Sequence, residues 1–127
     1  MAPHGYFHWN ELMSNNVEQA KAFYHDTLGW EYNAMDMGPN GTYWLIVDGD
    51  TPVGGMYQMQ GEHFVGMKDQ WTSYIAVDDI DKRVEMAEKA GATIIQPPFD
   101  IPDTGRIAML AEPGGAMVGW MTPEENG

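Results

Sequence analysis

The apolar positions of this chain switch between two periods, and the switches mark its elements. A strand is expected over residues 6–13. Asn15-Asn16 then opens a helix on which Val17, Ala20, Phe23, Tyr24, Thr27 and Leu28 recur every three or four residues. Gln19 stands three residues after Asn16, the spacing of a capping box, and Gly29 supplies a residue able to take positive φ at the helix end. Strands follow at about 30–35, 42–47 and 53–60, separated by the turn residues Gly38-Pro39-Asn40-Gly41 and Asp48-Gly49-Asp50. The order is β-α-β-β-β. Residues 60–70 are polar and glycine-bearing and read as a linker.

The same order recurs after the linker. A strand is expected at 71–77, and Asp79 then caps a helix that turns Ile80, Val84 and Ala87 inward and ends near Ala90-Gly91. A strand at 93–96 is expected to stop at Pro97-Pro98, because proline cannot donate to a ladder. Asp103-Thr104-Gly105 is turn chemistry, and strands at 106–111 and 116–122 are joined by Glu112-Pro113-Gly114-Gly115.

The halves can be laid over each other. Gly41 falls on Gly105 and Gly55 on Gly119 at an offset of 64, Trp9 on Thr72 and Asn16 on Asp79 at 63, and Gly29 on Gly91 at 62. A period near half the chain implies two copies of one unit rather than a solenoid. The expectation is one domain over 1–127, with a pseudo-repeat at 5–60 and 71–122 and a linker at 61–70. One amphipathic helix covers one face of a four-stranded sheet, so the other face must curl around a ligand or meet another sheet.

Composition narrows the function classes. A chain of 127 residues, 43% hydrophobic, has enough apolar matter for a real core. It has no run of 18 apolar residues and no basic start followed by an apolar stretch, so neither a membrane span nor a signal peptide is expected. With no Cys there are no disulfides, thiolate nucleophiles or Cys-ligated metals, and a reducing cytoplasm fits. The formal charge of −13 keeps the chain soluble, repels nucleic acid and anionic membrane, and attracts cations. There is no phosphate loop, dinucleotide fingerprint or nucleophile elbow.

Three motifs carry a resemblance: Trp9-Asn10-Glu11-Leu12, Ala20-Lys21-Ala22-Phe23-Tyr24 and Leu28-Gly29-Trp30. With Val53-Gly54-Gly55-Met56 and Glu112-Pro113-Gly114-Gly115-Ala116 they are similar to the vicinal oxygen chelate superfamily of glyoxalases, bleomycin-resistance proteins and extradiol dioxygenases. The resemblance implies an α+β fold: two tandem βαβββ units forming a curled eight-stranded mixed sheet, with two helices on its outer face. It also implies a homodimer. Metal-dependent members take His, Glu or Gln ligands from the first and last strand of each unit. The repeat puts those positions at Trp9, Gly55, Thr72 and Gly119, none of which suits a divalent ion, so no metal cofactor is expected. A slip of one residue reaches His8 or Asn10 and Gly54 or Met56, but turns each side chain to the other face.

Period-2 alternation then predicts the lining of a cavity. Trp9 brings Glu11 and Met13, Thr72 brings Tyr74 and Ala76, Gly55 brings Val53 and Tyr57, and Gly119 brings Met117 and Met121. The ligand-binding candidates are Trp9, Gly55, Tyr57, Thr72, Met117, Gly119, Met121 and Arg106, with Gly55 and Gly119 expected to leave room for the ligand. Glu11 is the candidate general base, with Tyr74, its repeat counterpart, as second catalytic candidate; Glu11 could equally bind a cation or hold the sheet by a hydrogen bond. His8 and Glu11 with Glu62 and His63 form a displaced metal site only if the linker folds back. Arg106 either holds a substrate anion or neutralises nearby acids. Three readings follow: a metal-free homodimeric binder of a small apolar or cationic molecule, a lyase, isomerase or dioxygenase using Glu11, and a structural partner with a vestigial pocket.

Overall fold

The structure is a computed structural model that describes residues 4–101 and 104–124, without the side chains of Asn40 and His63. Asp103, assigned above to a turn, lies outside the described residues. The strands are β1 (Tyr6–Ser14), β2 (Glu31–Asp36), β3 (Thr42–Asp48), β4 (Thr51–Gln58), β5 (Gln70–Ala76), β6 (Thr93–Ile101), β7 (Gly105–Ala111) and β8 (Met117–Pro123). The helices are α1 (Val17–Leu28) and α2 (Ile80–Lys89). The chain divides into two compact units, Trp9–Thr72 and Met1–His8 with Ser73–Gly127. Strand order is β2-β3-β4-β1 in the first half of the chain and β5-β8-β7-β6 in the second. β1 pairs with β4 and β5 with β8 in parallel, while the other pairs within each half are antiparallel. Two βαβββ motifs, eight strands in mixed pairing and two helices are the α+β fold expected.

Local signals explain both helices. The Asn16 side chain accepts from the Gln19 backbone N–H at 3.1 Å, and Gly29 closes α1 at φ 76°, its N–H donating to the His25 carbonyl at 3.0 Å. Asp79 does the same for α2, accepting from Lys82 N–H at 3.3 Å. α1 buries Val17 against Leu12, Ile46 and Met56, with Tyr24, Trp30, Tyr32 and Trp44 around them. The Lys21 ammonium sits 3.2 Å from the Trp44 ring centroid and so shields the edge of this core. α2 turns Ile80, Val84 and Ala87 inward as its period requires, onto Ala108, Leu110 and Val118.

Because successive strand residues point to opposite faces, these cores fix what lies on the faces away from the helices. In the first unit Leu12 pairs with Met56 toward α1, so Glu11 with Gly55 and Met13 with Tyr57 turn away from it. In the second, Ile75 and Trp120 turn toward α2, so Tyr74 with Gly119 and Ala76 with Met121 turn away.

One expectation is overturned. Pro97-Pro98 do not end their strand, since β6 runs from Thr93 to Ile101. β6 is the outermost strand of its half and pairs only with β7, with register shifts between Ile94 and Gln96 and between Gln96 and Phe99. A proline on an edge strand, inside a bulge, removes no ladder bond. The linker is also less featureless than expected and holds one 3-10 turn at Glu62–Phe64. Among the described residues no helix is long and apolar enough to cross a membrane.

Candidate functional site

The polar centre of the first unit is Glu11, only 7% exposed although ionisable. β1 and β4 set it beside Gly55. Tyr43 reaches over from β3, where it is the register partner of Tyr57. The Tyr43 hydroxyl accepts from the Trp9 indole Nε1–H at 2.8 Å and donates to the Glu11 carboxylate. Burial first, and the Glu11 charge second, push the Tyr43 and Tyr57 phenols well above their ordinary range. Both therefore stay protonated, and Tyr43 works as a fixed donor toward Glu11. Phe64 lies edge-on to Tyr57 at 6.2 Å, and Met13 is fully buried beneath. Trp9, Glu11, Gly55 and Tyr57 are thus brought together as expected.

The glycines have a different role from the one anticipated. The Tyr43 hydroxyl and ring occupy the space in which a Cβ on Gly55 would project. In the second unit the Tyr74 ring, 3% exposed, lies over Gly119 in the same way. The expected room for a ligand directly above these positions is held by tyrosine rings, and glycine is needed there because another side chain comes so close. Met121 and Met109 are buried on this face of the second unit, with Met117 half-buried.

Tyr43 was missed by the sequence reading. Its repeat counterpart is Ile107, so the repeat carried no polar signal there. The signal that could have found it is the glycine: a residue without side chain on a buried face asks what fills the gap.

Other candidates fall elsewhere. Val53 and His8 are exposed, and His8 stands edge-on to Tyr6 at 6.0 Å. Arg106 binds Asp81 through Nε and Nη2 at 3.0 Å each and Asp100 through Nη1 at 3.2 Å. This is the acid-neutralising arrangement, and it holds the Asp81 carboxyl below its usual range. Thr72 is 1% exposed, and its hydroxyl is the one buried side-chain polar atom among the described residues with no hydrogen-bond partner.

The residues at the expected ligand positions do not fit a divalent metal. The Trp9 indole N–H is a donor already used on Tyr43, Gly55 and Gly119 offer no donor atom and are covered, and a lone threonine hydroxyl is a poor ligand. Among the described residues no three His, Asp, Glu or Cys side chains gather to hold one. The His63 side chain of the displaced-site reading lies outside the described residues.

Comparison with known proteins agrees with this architecture. The chain is 35% identical to CFP32 of Mycobacterium tuberculosis (strain CDC 1551), named as a candidate glyoxylase, over 91% of this chain and 43% of that one. It is 33% identical to the anthracycline biosynthesis protein DnrV of Streptomyces peucetius, over 85% of this chain and 43% of that one. The chain thus spans under half the length of these curated relatives. Among solved structures, methylmalonyl-CoA epimerase from Mycobacterium tuberculosis superposes with a TM-score of 0.66 at 13% identity, covering 98% of this chain and 92% of that one. The Mn(II)-bound glyoxalase from Novosphingobium aromaticivorans gives 0.58 at 14% identity, covering 100% of this chain and 44% of that one. At such identities these two structures establish the fold alone. The model of the Glyoxalase/Bleomycin resistance protein/Dioxygenase superfamily matches residues 6–119, and the chain belongs to that family.

Proposed function

We propose that this chain binds a small apolar or cationic organic molecule, without the metal of its chelating relatives, on the face of the first unit that carries Glu11. The observation behind this reading is the Glu11 carboxylate, nearly buried among Trp9, Tyr43 and Tyr57 and held by the Tyr43 hydroxyl. A carboxylate fixed among aromatic rings is a few polar groups in an apolar wall, the usual composition of a small-molecule site. The names of the relatives, a candidate glyoxylase and an anthracycline biosynthesis protein, also speak of small organic molecules. The reading has the chain acting as a homodimer in the cytoplasm, with neither nucleic acid nor membrane as partner, in keeping with its charge of −13.

A second reading is supported by the same hydrogen bond. Glu11 is a nearly buried carboxylate held in one orientation by the Tyr43 hydroxyl, a group able to take a proton beside a carbonyl. The chain would then be a lyase, isomerase or dioxygenase-type enzyme of the family.

Elemental analysis of untagged protein and titration with Ni(II), Zn(II), Mn(II) and Fe(II) come first. A tightly held ion, about one per chain, would overturn the metal-free reading. A thermal-shift screen of neutral and cationic organic compounds should find ligands that raise Tm in wild type and not in Glu11→Gln. Turnover in wild type that Glu11→Gln abolishes, with binding kept, would favour the enzyme; the absence of any stabilising compound would leave the pocket vestigial.

A further inference from the structure

The first unit has a recess on the side of its sheet that carries α1. Leu12 points toward α1, whereas its neighbour Glu11 points away, so this recess and the Glu11 carboxylate do not share a face. A cleft of about 460 Å³ lies beside α1, walled by Phe23, Tyr24 and Trp71, floored by Leu12 and edged by Asp69 and Gln19. Two of the wall residues are unusually open for their type, Phe23 at 57% and Trp71 at 41% exposure.

The wall is held in place before anything binds. The Trp71 indole Nε1–H donates to the Tyr24 hydroxyl at 3.1 Å, and its ring stands edge-on to Tyr24 at 5.7 Å and to Trp30 at 6.1 Å. Tyr24 stacks on Trp30 at 4.9 Å and takes Phe23 edge-on at 4.9 Å. Rings already fixed lose little freedom on binding.

The rim carries a charge without a counter-charge. Asp69 accepts from the Ser14 hydroxyl at 2.6 Å, the Asn15 backbone N–H at 2.8 Å and the Asn15 side-chain amide at 3.1 Å. These donors are neutral, so they orient the carboxylate and favour its ionised form without cancelling its charge. Among the described residues no Lys, Arg or His forms an ion pair with Asp69. Aromatic rings beside an uncompensated carboxylate, in a protein of charge −13, suit one class of ligand: an organic cation with an apolar shell.

We propose that the cleft between α1 and Trp71 is a binding site for a small quaternary or alkyl ammonium group, with Phe23, Tyr24 and Trp71 facing its methyl groups and Asp69 facing its charge. The site is independent of Glu11.

The test uses choline and its neutral carbon isostere, 3,3-dimethylbutan-1-ol, titrated into the whole protein while the Trp71 indole N–H resonance is followed. Choline should bind saturably and more weakly as salt rises, and the isostere about tenfold more weakly. Trp71→Leu, Asp69→Asn and Phe23→Ser should each weaken choline by about 3- to 10-fold, whereas Glu11→Gln should leave it unchanged. Phe23→Ser changes a largely exposed ring, so it reads binding even if Trp71→Leu unfolds the chain. Equal binding of choline and its isostere would overturn the proposal. So would choline affinity unaltered in Asp69→Asn and Phe23→Ser, or lost only in Glu11→Gln, which would place the cation on the other face.

Discussion

Both units place a glycine at the same repeat position and lay a tyrosine ring over it, but the rings arrive differently. Tyr74 stands on the strand next to Gly119 and is its direct register partner, and it covers the glycine with ring carbons. Tyr43 reaches Gly55 diagonally, from the strand on the other side, and covers it with its hydroxyl first. The hydroxyl then meets Trp9 and Glu11. Around Gly119 the same face is built from Met109, Met117 and Met121. A duplicated frame has thus been filled twice, once mostly with methionines around the Tyr74 ring and once with a carboxylate, a phenol and an indole. The repeat explains where the backbone comes close; it does not say which half keeps reactive groups.

The largest effects should come from adding a methyl group at each glycine. Gly55→Ala and Gly119→Ala are each expected to cost about 3 kcal/mol in urea unfolding, because a tyrosine ring must leave its place in a packed interior. The difference between the units appears in a phenylalanine background. Tyr43→Phe removes the atom nearest the new methyl and should recover part of the Gly55→Ala loss, whereas Tyr74→Phe should recover none of the Gly119→Ala loss. Equal recovery at the two sites would mean that the rings cover their glycines alike.

An intermediate effect is expected at high pH, and in the first unit. Tyr43 and Tyr57 have folded-state pKa values raised above the unfolded value of about 10. Their stabilisation is complete below that pH and is lost as pH rises through the raised range, at about 1.4 kcal/mol per pH unit for each tyrosine. Phenolate absorbance should accordingly lag in native protein relative to unfolded protein. Tyr57→Phe should remove one share of the lag, and Glu11→Gln should shorten it by removing the charge that opposes ionisation. A lag untouched by Glu11→Gln would detach the carboxylate from the two phenols.

The smallest difference is expected where the units are most alike. Asn16→Ala and Asp79→Ala each remove the side-chain oxygen that accepts the N–H three residues on, and each should cost about 1 kcal/mol. Urea midpoints that moved for only one of the pair would show that one helix draws its start from packing rather than from its cap.

Much of the architecture was readable residue by residue. The helix Val17–Leu28, the caps Asn16 and Asp79, the stop at Gly29 and the two βαβββ orders all rest on local rules, and all are present, although of the α1 stripe only Val17 is buried while Phe23 and Leu28 stay exposed. Pro97-Pro98 misled because whether a proline breaks a strand depends on whether that strand has one neighbour or two. At the site, alternation placed Glu11, Met13 and Tyr57 on one face of the first unit and Tyr74 and Met121 on one face of the second. It could not place Tyr43 over Gly55, since that contact runs diagonally between strands.

The sequence by itself determined the duplicated frame, because periodicity, capping and turn chemistry act over a few residues and leave their mark wherever they act. It also determined that His, Glu and Gln are missing from the expected ligand positions, since that is a matter of residue identity. Only the tertiary structure decided what stands in their place. A glycine has no side chain to announce its surroundings, and the ring that fills the gap over Gly55 comes from a strand whose register is set by long-range pairing. The pairing of Asp69 with Ser14 and Asn15, 55 and 54 residues away in the chain, is of the same kind: it leaves a carboxylate oriented beside Trp71, and no local rule records it.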